Sequence, residues 1–217
     1  MIKLCIFDLD GTIIDSAPDI MDSINFALEK YGLQTLSLQK MKDTVGYGLA
    51  HLLKAVIPED RYEELEEKIR ADFISYYAGH CAVKTAIYAG MKETLLALDA
   101  AGIKLAVNTN KPHIFLDNIV SSRLFSGINL ARVIGAGEFP AKPDPAGVNA
   151  ILTQFEVKKS ECVYIGDSDV DMQTALNAGV AAIGVSWGYR GRDVLIQAGA
   201  AHLIDEACRL IPLIQAF

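Results

Sequence analysis

The stretch Ile2-Lys3-Leu4-Cys5-Ile6-Phe7-Asp8-Leu9-Asp10-Gly11-Thr12 begins as an almost continuous apolar run and ends in acidic and small residues. Runs of this kind are typical of strands that are buried on both faces of a parallel sheet. In open parallel sheets, ligands bind beyond the carboxyl ends of the strands. Asp8 and Asp10 are therefore predicted to lie at a ligand-binding edge.

Short apolar runs recur along the rest of the chain, and amphipathic segments separate them. The runs are Ile103–Val107, Arg132–Ala136, Cys162–Ile165, Ala181–Val185 and Ala201–Ile204. The amphipathic segments include Met91–Ala101, Ala146–Gln154 and Met172–Ala178. Alternating strands and helices predict βαβ units, so the fold class is α/β with a parallel sheet that also takes in Ile2–Phe7.

Residues 15–82 show a different sequence pattern, with helical periodicity and no apolar run typical of a buried strand. Pro18 suits the first turn of a helix that ends at Gly32, and a second helix is predicted over Gln39–Val56 with a break near Gly46 and Gly48. A third helix is predicted over Glu59–Tyr77 from apolar side chains at three- and four-residue spacing. The predicted organisation is a core made of residues 1–14 and 83–217, with a helical domain, residues 15–82, inserted after the first strand.

Composition limits the classes of partner. The chain has 217 residues, of which 51% are hydrophobic and 22% charged, as expected of a globular protein. Its net charge of −7 argues against a nucleic-acid partner. No apolar run is long enough for a membrane span, and the N-terminal residues do not resemble a signal peptide, so a cytoplasmic location is expected. For an acidic chain that binds an anionic substrate, a bound divalent cation is the usual solution.

Polar residues that follow the other apolar runs supply candidates for chemistry. They are Asn108-Thr109-Asn110-Lys111, Lys142-Pro143 and Gly166-Asp167-Ser168-Asp169-Val170-Asp171. Together with Asp8 and Asp10 they predict phosphoryl transfer through a covalent intermediate. Asp8 would attack phosphorus, and Asp10 would protonate the leaving oxygen and later activate water.

The other candidates would bind the phosphate and a metal. Thr109, Asn110 and Lys142 are the predicted substrate-binding residues, and Lys142 would counter the charge of the transferring group. Asp167 and Asp171 would help to bind Mg²⁺, which prefers carboxylates and water. If the following helix began at Asp167, these two carboxylates would share one of its faces.

Each motif also has an ordinary structural explanation. Asp8-Leu9-Asp10-Gly11 could be a turn, Thr109-Asn110 or Asp167-Ser168-Asp169 could cap a helix, and Lys142 could be a solvated surface residue. Their occurrence together, at successive strand ends, favours the chemical interpretation. An EF-hand is excluded, because the sixth and twelfth positions counted from Asp167 are Met and Ala. The sequence also lacks GxxxxGK[ST] and GxGxxG motifs.

The motifs and their order resemble those of the haloacid dehalogenase superfamily. The matching segments are Asp8-Leu9-Asp10-Gly11-Thr12, Thr109-Asn110-Lys111, Lys142-Pro143 and Gly166-Asp167-Ser168 with Asp171. The resemblance implies a Rossmann-like core with an inserted α-helical cap. It also implies that Mg²⁺ is bound by the Asp8 side chain, the Asp10 carbonyl and Asp167, with support from Asp171. An aspartate at position 10 fits the phosphatase branch.

Further stretches are similar to the phosphoglycolate phosphatases of that superfamily. They are Asp15–Ile20, Val45–Leu49, Thr109–Pro112 and Ser186–Tyr189. The resemblance makes 2-phosphoglycolate the first candidate among small phosphomonoesters. Pyrophosphate, sugar phosphates, nucleotides, a phosphomutase and a non-catalytic phosphate-binding scaffold remain alternatives. Lys54, Arg61 or His51 is the candidate contact for a substrate carboxylate, and the oligomeric state is not indicated.

Overall fold

A six-stranded parallel sheet forms the centre of the computed structural model, which describes residues 1–217. The strands are β1 (Leu4–Phe7), β4 (Lys104–Pro112), β5 (Arg132–Ala136), β6 (Cys162–Gly166), β7 (Ala181–Val185) and β8 (His202–Ile204). Their order is β5-β4-β1-β6-β7-β8, and every pair is parallel. β1 therefore lies in the middle, and the chain that leaves it starts from the centre of the sheet edge.

Both faces of the sheet are buried, which explains the continuous apolar runs. Along β1, Cys5 and Phe7 pack into one hydrophobic cluster, whereas Leu4 and Ile6 pack into another on the opposite face. The helices that follow the strands cover these faces. They are α5 (Met91–Ala100), α6 (Leu116–Val120), α7 (Ala146–Phe155), α8 (Asp169–Ala178), α9 (Arg192–Gln197) and α10 (Leu210–Gln215). The predicted Rossmann-like α/β fold is thus confirmed.

The segment called here the helical cap, residues 15–82, contains four helices. They are α1 (Ala17–Lys30), α2 (Leu38–Thr44), α3 (Leu49–Val56) and α4 (Tyr62–His80). Pro18 lies in the first turn of α1, as predicted. The stretch Gln39–Val56 forms two helices, because Gly46 and Gly48 between them adopt φ angles of 114° and 88° that favour glycine. The division of the chain into two domains stays a prediction.

Two short strands connect the helical cap to the sheet. β2 (Ile14–Asp15) and β3 (Ala86–Ile87) pair antiparallel, with Asp15 opposite Ala86. Beside them, the buried carboxylate of Asp19 accepts hydrogen bonds from the backbone N–H groups of residues 83–85 and from the Thr85 hydroxyl. The two chain segments that connect the helical cap to the core are therefore hydrogen-bonded to one another.

The sequence patterns missed several short elements. The two-residue strands β2 and β3 and the short helices α6, α9 and α10 were not predicted, because they are too short to establish a period. Cys5, Cys81 and Cys162 are buried free thiols, and Cys208 is exposed. None of the helices combines the length and apolar content needed to cross a lipid bilayer.

Candidate active site

The predicted site residues meet at the carboxyl edge of the sheet. Asp8 and Asp10 follow β1, and Asp167 follows β6. These two strands are neighbours at the centre of the sheet. Thr109 and Asn110 are not helix-capping residues, because β4 continues through them to Pro112. Lys142 is buried, which rules out the solvated surface position that a lone lysine usually has.

Lys142 bridges two of the carboxylates. Its Nζ atom lies 2.7 Å from Asp171 Oδ1 and 2.9 Å from Asp8 Oδ1. Burial alone would lower the pKa of this ammonium group, but the two carboxylates outweigh burial and raise the pKa of Lys142 well above its ordinary value. Lys142 is therefore a permanent cation beside Asp8.

Asp171 is oriented by the start of α8. Ser168 is the N-cap residue, and its backbone N–H and hydroxyl both donate to Asp171 Oδ2. The helix begins at Asp169, so Asp167 lies before it. Asp167 and Asp171 therefore do not share a helix face. The two carboxylates still converge, because Asp171 turns back toward the sheet through the capping box.

Asp167 lies in a narrow slot between two glycines. A Cβ atom on Gly11 would come within 2.3 Å of the Asp167 carboxylate, and one on Gly188 within 2.2 Å of its Cβ atom. Thr12 donates to Asp167 Oδ1, and the Tyr189 backbone N–H donates to Oδ2. Gly11, the small residue noted after β1, thus allows close approach of the two chain segments.

Asp8, Asp167 and Asp171 form a compact acidic cluster. One carboxylate oxygen from each lies within 4.8 Å of the others. Burial, followed by the opposing effects of Lys142 and Asp171, raises the pKa of Asp8 to about 7. Burial and the negative charges of Asp171 and Asp8 raise the pKa of Asp167 to about 8. Such a cluster is unfavourable unless protons or a cation neutralise it.

The donor set fits a hard divalent cation. Lys142 is near Asp8 Oδ1 but not aligned for a hydrogen bond, so this buried oxygen has no hydrogen-bond donor. A buried carboxylate oxygen that accepts no hydrogen bond, among converging carboxylates, is the type of ligand that Mg²⁺ takes in proteins. By contrast, both Asp171 oxygens already accept hydrogen bonds, which suits a supporting position.

Asp10 belongs to a second charged group, on the side of the site that faces the helical cap. The Ser16 hydroxyl donates to Asp10 Oδ1, and Lys111 Nζ lies 3.0 and 3.1 Å from the two carboxylate oxygens. Lys111 also donates to the Tyr77 hydroxyl at 2.7 Å. Tyr77 is part of α4, so Lys111 connects the core to the helical cap.

Asn110 holds neighbouring backbone in place. Its Oδ1 atom accepts from the Lys142 backbone N–H at 2.8 Å, and its Nδ2 atom donates to the carbonyls of Lys142 and Gly46. Asn110 thereby fixes the segment that carries Lys142 and joins it to the loop between α2 and α3. Its predicted contact with substrate stays a prediction.

A cavity of about 60 Å³ separates this edge of the sheet from the helical cap. Its 16 lining residues include Asp8, Asp10, Thr109, Asn110 and Lys111 from the core. From the cap, they include Gly46 and Gly48, the two glycines at the predicted helix break.

Core residues outside the cavity contact the same loop of the cap. The Arg190 guanidinium donates to the carbonyls of Lys42 and Val45, and the Tyr47 hydroxyl donates to the Asp169 carboxylate. These contacts hold the loop between α2 and α3 over the site. Arg190 acts here through the cap backbone, a role that its place in the sequence did not indicate.

Comparison with known proteins is consistent with this architecture. A family model described as haloacid dehalogenase-like hydrolase matches residues 5–185. The chain belongs to the haloacid dehalogenase-like hydrolases. The match extends from β1 to β7, so it includes both the acidic cluster and the helical cap.

Relatives within this hydrolase family carry a common name. The phosphoglycolate phosphatase of Vibrio parahaemolyticus is 32% identical, with 98% of this chain and 96% of the relative aligned. That of Colwellia psychrerythraea is 33% identical, with 96% and 95% aligned. A crystal structure from Lactobacillus delbrueckii subsp. bulgaricus, provisionally named a phosphoglycolate phosphatase, matches with a TM-score of 0.90 and 31% identity over 98% of both chains.

These relatives and the acidic cluster confirm the predicted class of enzyme: the chain is a phosphatase of the haloacid dehalogenase superfamily, a phosphoric monoester hydrolase. The alternative of a non-catalytic scaffold therefore loses its support. The roles of the individual site residues and the identity of the metal stay predictions, and we take them up as proposals.

Proposed function

We propose that this phosphatase is Mg²⁺-dependent and hydrolyses a short phosphomonoester, with 2-phosphoglycolate as the first candidate. The observation that carries the proposal is the Asp8 carboxylate, which is buried beside Lys142 and has one oxygen without a hydrogen-bond donor. Phosphoglycolate phosphatase is also the name of relatives that align with almost the whole chain.

In the first half-reaction an Asp8 oxygen attacks phosphorus, and the bond between phosphorus and the ester oxygen breaks. Asp10 gives its proton to that oxygen, so the alcohol leaves neutral. Lys142 counters the charge on the transferring group, and Thr109 hydrogen-bonds one of its oxygens. Asp171 and Asn110 keep Lys142 in position through its ammonium group and its backbone.

In the second half-reaction Asp10 takes a proton from water, and the water oxygen attacks the phosphorus of the aspartyl phosphate. The bond from phosphorus to Asp8 breaks, which releases phosphate and restores the carboxylate. Asp8, the Asp10 backbone carbonyl and Asp167 would hold Mg²⁺, with support from Asp171. When bound, this ion supplies positive charge that lowers the repulsion between an anionic nucleophile and an anionic phosphate.

The cavity favours a small substrate. A water-sized group occupies on the order of 10–15 Å³ on this volume scale. About 60 Å³ therefore holds roughly four to six water-sized groups, which favours a small substrate. Apolar side chains from the helical cap, such as Ile20, Leu52 and Phe73, line much of the cavity. They offer no hydrogen bonds to the hydroxyl groups of a sugar, which favours a substrate with few hydroxyl groups.

Phosphate release from a panel of phosphomonoesters and pyrophosphate tests the proposal. We expect release that requires Mg²⁺, stops in EDTA and is strongest for 2-phosphoglycolate. Asp8→Asn keeps the shape of the side chain but removes the nucleophile, and should abolish turnover. Turnover that survives in purified Asp8→Asn protein would show that another residue is the nucleophile.

We also propose a cytoplasmic location. The three buried cysteines are free thiols, which suits a reducing compartment. Fractionation of the native host would test this, and recovery of the protein outside the cytoplasm would contradict it.

A further inference from the structure

Lys111 is the only basic residue that lines the cavity of the candidate active site. The charged residues among the 16 that line it are Asp8, Asp10 and Lys111. The other cations near the site face elsewhere: Lys142 is directed at Asp8 and Asp171, and Arg190 at backbone carbonyls of the helical cap. Any anionic group of a substrate that enters this cavity beyond the phosphate has a single basic side chain to meet.

The candidates that the sequence offered for this contact lie elsewhere. His51 and Lys54 are exposed, Arg61 is half-buried, and none of the three lines the cavity. Lys111, by contrast, lines the cavity and is buried, with its side chain only 2% exposed. A buried ammonium group requires partners of opposite charge.

The present partner of Lys111 is Asp10, the proposed acid and base. Lys111 Nζ contacts both Asp10 oxygens and the Tyr77 hydroxyl. To protonate a leaving oxygen, Asp10 has to place one of its oxygens toward the phosphate, which withdraws part of the negative charge from Lys111. A second anion supplied by the substrate would restore that charge.

We propose that Lys111, together with Tyr77, binds a carboxylate of the substrate, and that this contact selects phosphomonoesters with a carboxylate a few atoms from the ester oxygen. The proposal rests on the proposed function, because it uses Asp10 as the acid at the leaving oxygen. Asp10 contacts Lys111 at the place where the substrate carboxylate would bind.

The contact between Lys111 and Asp10 bears on the spacing between the two groups of the substrate. Lys111 is in direct contact with Asp10, and Asp10 is two residues from the nucleophile Asp8. A carboxylate bound by Lys111 would therefore lie near the leaving oxygen that Asp10 protonates, as in an ester with one carbon between the two groups. Longer carbon chains would carry the carboxylate past Lys111 toward the apolar side chains of the cap, where an unpaired charge is costly.

Tyr77 completes the contact. Its hydroxyl oxygen accepts from Lys111, and its own hydrogen has no acceptor among the protein groups. It can therefore donate to one carboxylate oxygen while Lys111 donates to the other. The Tyr77 ring packs against Phe73 and Phe115, which fixes the direction of the hydroxyl.

The first experiment compares two substrates of equal length, 2-phosphoglycolate and 2-hydroxyethyl phosphate, in wild type and Lys111→Met. Both carry the same phosphate ester, but only the first carries a carboxylate. We expect kcat/KM for 2-phosphoglycolate, divided by that for 2-hydroxyethyl phosphate, to fall by about tenfold or more in Lys111→Met, since a hydrogen-bonded charge contact is lost. Lys111→Arg should restore part of the ratio, and Lys54→Met, an exposed cation of the cap, should leave it unchanged.

An equal loss for both substrates in Lys111→Met would overturn the proposal, because Lys111 would then act only through Asp10. Absence of phosphate release by wild type from every ester would contradict the proposed function instead. Binding of glycolate, measured by calorimetry in the presence of Mg²⁺ and inorganic phosphate, separates the two cases, because it needs no turnover. We expect glycolate to bind wild type and ethylene glycol not to bind. Failure of glycolate to bind folded wild type would overturn the carboxylate site, whatever the activity.

Discussion

Stability without a divalent cation should fall steeply as the pH rises, because of the buried acidic cluster. The ordinary pKa of an aspartate is 3.8, whereas that of Asp8 is raised to about 7 and that of Asp167 to about 8. A carboxyl group with a raised pKa keeps its proton longer in the folded state than in the unfolded state. Its contribution to stability is therefore present at low pH and is lost as the pH rises through the folded-state pKa.

The size of the effect follows from the two values. Between pH 6 and pH 8.5, linkage gives a combined loss of about 4 kcal/mol of unfolding free energy for the two groups. For a chain of this length, that loss lowers the Tm by roughly 10 °C. With saturating Mg²⁺ both carboxylates stay ionised at every pH in this range, so the dependence should nearly vanish.

Urea unfolding at a series of pH values, in EDTA and in Mg²⁺, measures both quantities. Asp167→Asn removes one of the two groups and one repulsive charge, so it should reduce the loss in EDTA by more than half. Calorimetry should also detect protons released on Mg²⁺ binding at pH 6 and far fewer at pH 8.5. A metal-free stability that stays flat between pH 6 and pH 8.5 would refute the reasoning.

Two further predictions concern stability and cation binding. Asp19→Ala leaves buried backbone N–H groups without acceptors and should lower the unfolding free energy by about 2–3 kcal/mol in a urea titration. Asp22→Ala removes a half-buried acid on the same helix that forms an ion pair with Lys84, and it should change the unfolding free energy by less than about 1 kcal/mol. Gly188→Ala forces a Cβ atom against Asp167 and should weaken Mg²⁺ binding by about tenfold, read from the Mg²⁺ dependence of turnover. Gly191→Ala has open space around its Cβ position and should leave that dependence unchanged; equal effects of the two glycine variants would contradict the steric explanation.

The sequence predicted the sheet well because burial on both faces leaves a strong local signal. β5 and β7 have the predicted bounds, and β1 and β6 differ from prediction at their ends by two residues or fewer. The carboxyl-edge rule then placed Asp8, Asp10 and Asp167 together with no knowledge of the structure. The break at Gly46 and Gly48 was also predictable, because glycine ends helices for reasons local to the backbone.

The cap side of the site was less predictable, since it depends on contacts between distant segments. Lys111 follows Thr109-Asn110 in a polar stretch, and its burial becomes evident only when α4 brings Tyr77 against it. The same holds for Arg190, whose acceptors are backbone carbonyls in the helical cap. The spacing of apolar residues in a sequence cannot predict a hydrogen bond to a carbonyl more than a hundred residues away.

The pairing of Asp15 with Ala86 in the β2–β3 ladder bears on how such an enzyme can diversify. The helical cap leaves and rejoins the core through neighbouring strands, so its two ends are held at a fixed, short separation. Any other insertion whose ends meet at that separation could replace it without altering the register of the six-stranded sheet. The catalytic edge, with Lys111, can therefore stay the same while the cap side of the cavity, with Tyr77, is changed by replacing a single contiguous stretch of chain.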